Sequence, residues 1–138
     1  MIEAAAALSA FFLVLQSGGW RYGEQLAAAD PLYLAATTAC LTAIVVMQVV
    51  NVWLCRSEHG SIFQTGLYTN PLILLGIVFE LVMITLIVYT PWGNLLVGTA
   101  PLTADLWLFV VPFAIAMLLL EELRKLFLRR RVFLKKDL

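Results

Sequence analysis

The sequence predicts an all-α integral membrane protein built as a bundle of four transmembrane helices. Three observations carry this. Hydrophobic residues make up 62% of the 138-residue chain and charged residues 13%, about half the charged share of an ordinary soluble domain. Mean hydropathy is +0.94, and the apolar residues collect into long blocks, which is how a membrane-spanning chain distributes them. Net charge is zero, yet seven of the nine basic residues lie between Arg124 and Lys136. This is a basic tail on a neutral apolar chain, so nucleic acid is excluded as a partner and the lipid bilayer is the expected one.

The helices are expected at approximately 2–20, 31–55, 71–90 and 106–130. The first block, Ile2 to Gln16, is short for a span of about 20 residues, so the helix borrows Ser17 to Trp20 or continues upstream. Glu3 stands where a secretory leader would carry positive charge, so no leader is read here. The segment from Ser17 to Asp30 holds Gly18, Gly19, Gly23 and three charges and reads as a loop. Asp30-Pro31 is a cap followed by proline in the first helical turn. The second block then runs to Cys55, where Arg56, Ser57, Glu58, His59 and Gly60 break it. Asn70-Pro71 starts the third block, and Pro91 stops it after Thr90. Thr103-Ala104-Asp105 leads into the fourth, which is apolar to Leu120 and continues as a basic amphipathic extension through Arg131. Blocks this long and evenly apolar do not alternate as barrel strands do, so helices satisfy the backbone in lipid.

The positive-inside rule places the tail in the cytoplasm. Four spans then put the N-terminus and the loop from Arg56 to Asn70 on the same side. Trp20, Tyr22, Tyr33, Trp92 and Trp107 fall near the outer boundary as an aromatic belt, with Trp53 and Phe63 at the inner one. The expected location is the plasma, or inner, membrane with both termini cytoplasmic.

Few residues carry chemistry. Cys40 and Cys55 are ~22 Å apart along one helix, too far to bridge, and read as small buried apolar groups. His59 has no Cys or second His beside it. Glu80 is the carboxylate well inside a span. An ionised group there costs about 2.5–3.5 kcal/mol, so it should face protein, either as a hydrogen-bonded structural glutamate or as a cation or proton ligand. Gln48, ~10 Å from the cytoplasmic end of its helix, nearly matches Glu80 at ~13 Å in depth. Asn51 lies one turn from Gln48 on the same face. The three are expected to cluster between the second and third helices, where polar groups also bind helices together. Ala5 with Ser9, Ala6 with Ala10, and Ala35, Ala39 and Ala43 give small residues at four-residue spacing, suited to close helix packing. Glu121–Lys125 has the spacing of an ion pair along a helix, and Arg129-Arg130-Arg131 would attract anionic lipid. No phosphate loop, nucleophile elbow or paired metal ligands occur, so no catalytic domain or cofactor site is expected in this chain.

The ordered pieces carry a resemblance. Val46-Met-Gln-Val-Val-Asn51, then Cys55-Arg56-Ser57-Glu58 and Ser61-Ile62-Phe63-Gln64-Thr65-Gly66, resemble the end of the eighth transmembrane helix and the following loop of type II P-type cation ATPases. Asn70-Pro71, Glu80 and Tyr89-Thr90-Pro91 resemble their ninth helix. Glu121-Glu122-Leu123-Arg124-Lys125-Leu126 with Arg129-Arg130-Arg131 resembles the end of the tenth, and Ile2 to Leu15 is similar to the seventh. The resemblance implies the C-terminal part of a pump whose phosphorylation and nucleotide-binding domains, with ATP and Mg2+, lie upstream, and whose remaining helices are the partners of this bundle. It implies an auxiliary ion role for Glu80, at a ninth-helix carboxylate position of sodium- and proton-transporting members. Asn51 matches a position that is aspartate in sodium–potassium pumps and asparagine in calcium pumps. Gln48 stands where reticulum calcium pumps carry glutamate. The alternatives are a free-standing four-helix secondary transporter, of the size of small multidrug transporters, and an accessory membrane subunit.

Overall fold

The structure, a computed structural model, describes residues 2–54 and 70–134, with side chains through Phe127. Within these residues the chain is an all-α membrane bundle of five helices: α1 (Ile2–Ser17), α2 (Pro31–Leu54), α3 (Pro71–Tyr89), α4 (Pro91–Val97) and α5 (Ala104–Leu134). Cys55, the segment from Arg56 to Thr69 with His59 and Phe63, and the side chains of the basic tail beyond Phe127 lie outside the described residues.

Helix starts follow from a repeated dipeptide. Asp30 Oδ1 accepts from Leu32 N at 2.8 Å, and Asn70 Oδ1 accepts from Leu72 N at 3.1 Å. Each satisfies an N–H that the first turn leaves unpaired, while the proline between contributes a φ already suited to a helix. Thr90-Pro91 does the same for α4, with Thr90 Oγ1 accepting from Gly93 N at 3.1 Å. The sequence reading took Pro91 only as a stop. Proline cannot donate to the ladder of α3, which ends it, but the same residue opens a further helix. The stretch from 91 to 97 is therefore helical, and the connection to α5 is correspondingly shorter.

Helices α2, α3 and the Ala104–Phe127 stretch of α5 are long and apolar enough to cross a membrane. Helix α1, with 16 residues, is ~24 Å long, less than the ~30 Å hydrocarbon layer. Helix α2 is central, touching α1, α3 and α5. The core joins Ala7 and Ala10 of α1, Ala39 and Ala43 of α2, Ile84 and Val88 of α3, and Leu106 and Val110 of α5. The alanines at this junction are fully or almost fully buried. With no side chain beyond Cβ, they let the α1 and α2 backbones approach closely, the main source of helix association where lipid is as apolar as leucine. Ala6–Ala10 and Ala39–Ala43 occupy this contact. Ala5 is exposed, however, and Ala36 rather than Ala35 is buried.

The two ends of the bundle differ. At one, Ala100 N donates to Thr38 Oγ1 at 2.9 Å, Tyr89 Oη donates to the Leu102 carbonyl at 3.0 Å, and Trp107 Nε1 donates to Tyr89 Oη at 2.8 Å. At the other, the start of α1 meets the last turns of α2, and the C-terminal half of α5 reaches Leu54. Glu3, Gln48 and Lys125 lie at this second end, and Glu80 lies in mid-span on α3.

Candidate functional site

On α3 the buried residues are Ile77, Ile84 and Val88. Glu80 follows Ile77 by three residues and precedes Ile84 by four, so its Cβ lies on the same stripe. The stripe faces α2, because Ile84 and Val88 pack in one core with Ala39 and Ala43. Glu80 is half-buried. Among the described residues, it has no hydrogen-bond or ion-pair partner.

Gln48 turns elsewhere. Its Nε2 donates to Glu3 Oε1 at 2.7 Å, joining α2 to α1 across 45 residues of sequence. Both side chains are half-buried, and Asn51, half-buried one turn further along α2, is itself engaged. The structure thus brings Gln48 together with Glu3, and no hydrogen bond joins Gln48 to Glu80 among the described residues. Glu3 is the site residue that sequence reasoning passed over as merely the wrong charge for a leader. The missed signal is its register: Glu3, Ala6, Ala7 and Ala10 share one helical face, and that face is the packing surface of α1.

A second overlooked group is Lys125, which is 1% exposed. Its Nζ donates to the Leu54 carbonyl at 3.0 Å. Leu54 is the last described residue of α2, so this contact ties the C-terminal half of α5 to α2. The expected Glu121–Lys125 pair is replaced. Glu121 instead holds Arg124, with Arg124 Nε donating to Glu121 Oε2 at 2.8 Å. Arg124 and Lys125 are neighbours in sequence but ~100° apart around the helix, so one lies outside with Glu121 and the other turns inward to α2.

No group of three His, Cys, Asp or Glu side chains able to hold a metal ion occurs among the described residues. The hydroxyl of Thr42 is fully buried on α2 and has no hydrogen-bond partner among the described residues.

The fold and these polar groups define a membrane bundle with a few hydrogen-bonding side chains turned inward between helices, as in a segment of a transport protein. The chain belongs to the family described as cation transporting ATPase, C-terminus, which matches residues 1–127. It is 29% identical to the sodium/potassium-transporting ATPase subunit alpha of Drosophila melanogaster over 94% of this chain and 15% of that protein. It is 31% identical to the potassium-transporting ATPase alpha chain 2 of Oryctolagus cuniculus over 78% of this chain and 10% of that protein. The human sodium/potassium-transporting ATPase subunit alpha-4 is 26% identical over 94% of the chain and 15% of that protein. The chain therefore spans about one-seventh or less of the length of these relatives.

Proposed function

We propose that this C-terminal P-type ATPase region is the transmembrane support bundle of an ATP-driven cation pump. In this reading it anchors the pump in the membrane and lends Glu80, Asn51 and Gln48 to the ion pathway as auxiliary ligands. ATP and Mg2+ act in the upstream cytoplasmic domains of the same pump, and the bundle's partners are those domains, the remaining helices and lipid. Both termini and the segment from Arg56 to Asn70 face the cytoplasm of a plasma-membrane pump. The family match gives the free-standing transporter no support.

The observation that carries the ligand role is Glu80 itself. A carboxylate in mid-span on the protein-facing stripe of α3, with no partner among the described residues, is costly unless something else completes it. Carboxylate and amide oxygens are the hard donors that sodium, potassium or calcium takes. Three such side chains are too few for a full shell, so the remaining ligands come from other helices of the pump. In the full-length pump, Glu80→Gln should raise the cation concentration for half-maximal ATPase activity by about tenfold, the equivalent of ~1.4 kcal/mol, with expression nearly intact. An unchanged cation dependence would make Glu80 a structural glutamate.

A further inference from the structure

A carboxamide has two faces with opposite chemistry. Its nitrogen only donates, its oxygen only accepts, and the two are branches of one planar group. Which branch faces an ion decides whether glutamine can bind it. Gln48 directs Nε2 to Glu3 Oε1 at 2.7 Å. The nitrogen brings the hydrogen to this contact and the Glu3 oxygen accepts it. Among the described residues nothing donates to Gln48 Oε1, which leaves that oxygen with both lone pairs free.

We infer that Glu3 is a positioning residue that orients the Gln48 carboxamide, holding its nitrogen against α1 so that its oxygen is the atom offered to a cation. The inference rests on the reading of Gln48 as an auxiliary cation ligand. Without Glu3 the amide has no fixed partner among the described residues and rotates about its terminal bond, presenting N–H as readily as oxygen. An N–H group facing a cation repels it. The contact also ties the orientation to helix packing. Glu3 shares a face of α1 with Ala6 and Ala10, both fully buried, so its distance from Gln48 is set by the close α1–α2 contact. Moving α1 along α2 by one residue would shift Glu3 by ~1.5 Å, enough to break a 2.7 Å hydrogen bond.

The test uses the full-length pump carrying this segment, with cation dependence and maximal ATPase rate measured separately. Gln48→Ala tests the underlying reading and should weaken apparent cation affinity. Glu3→Ala should weaken it about fivefold, with maximal rate and expression little changed, the scale expected for one ordinary hydrogen bond. Glu3→Gln should restore most of the affinity, because its side-chain oxygen still accepts from Gln48 Nε2. In the Gln48→Ala background, Glu3→Ala should add nothing further. If Gln48→Ala weakens affinity and Glu3→Ala does not, the positioning role is wrong and the ligand role stands. If Glu3→Ala adds its full effect in the Gln48→Ala background, Glu3 acts on the ion independently and the inference is overturned. If Gln48→Ala leaves affinity unchanged, both readings fall.

Discussion

Lys125 is the residue whose surroundings most constrain its chemistry. An ammonium 1% exposed loses most of its hydration, a cost of several kcal/mol when nothing compensates. Here the compensation is the hydrogen bond to the Leu54 carbonyl of α2. Removing the charge removes both the hydrogen bond and the desolvation cost, so the two effects largely cancel. Lys125→Met should therefore destabilise the purified chain by only about 1 kcal/mol. Lys125→Glu keeps the burial cost, removes the donor and sets a carboxylate against the Leu54 carbonyl oxygen. It should cost at least about 3 kcal/mol. Unfolding midpoints of the two variants in detergent check this, and equal midpoints would refute the role of this contact. The residue's role was hidden in sequence, where the four-residue spacing to Glu121 suggested a surface ion pair. That spacing is real, but Arg124 is the partner that keeps to the outer side of α5, while Lys125 is turned inward.

At the scale of elements, the break between α3 and α4 is the tightest feature. Thr90 closes α3 and opens α4 at once: its N–H donates to the Leu86 carbonyl at 3.1 Å while its hydroxyl oxygen accepts from Gly93. A Cβ at Gly93 would sit 2.6 Å from the Ile87 Cα and from the Leu86 and Ile87 carbonyl oxygens. Those are backbone atoms, which cannot step aside as a flexible side chain would. Gly98 then ends α4 in the left-handed region at φ 72°, which suits glycine. Asn94 fastens the return: its side-chain amide lies 2.9 Å from Thr99 Oγ1, and the amide orientation that satisfies its neighbours has the nitrogen donating to Val88 O at 3.0 Å. Gly93→Ala should accordingly destabilise the chain by about 2–3 kcal/mol through forced separation of α3 and α4, read as a lowered midpoint of unfolding. A neutral substitution would mean that the turn opens without cost. The starts of α2 and α3 were legible because a capping side chain followed by proline is a purely local signal. Helix α4 was not, because the same local signal at Thr90-Pro91 also serves as a helix stop, and only its hydrogen bonds separate the two uses.

For the whole molecule, orientation is the open physical question that charge addresses. The tail and both termini should lie in the cytoplasm, held by the basic excess after Arg124. Single cysteines introduced at Ser17 and Ser57, in a background lacking Cys40 and Cys55, give a direct reading. A membrane-impermeant thiol reagent applied to intact cells should label position 17 and leave position 57 untouched. The reverse pattern would invert the topology.

What the sequence by itself determined is whatever depends on composition and local periodicity. The all-α membrane class, the family, the cap-and-proline starts of α2 and α3 and the placement of Glu80 in mid-span are of this kind. Hydropathy sums over a helix regardless of its neighbours, and a cap acts within three residues. What only the tertiary structure decided is which polar group meets which. Depth along a helix matched Gln48 with Glu80, yet depth leaves the rotation of each helix about its axis unspecified. That rotation follows from the alanine contact of α1 with α2, and it turns Gln48 toward Glu3. The same packing carries Lys125 to Leu54 of α2, because α5 lies against α2 over a length that no local pattern in its own sequence encodes.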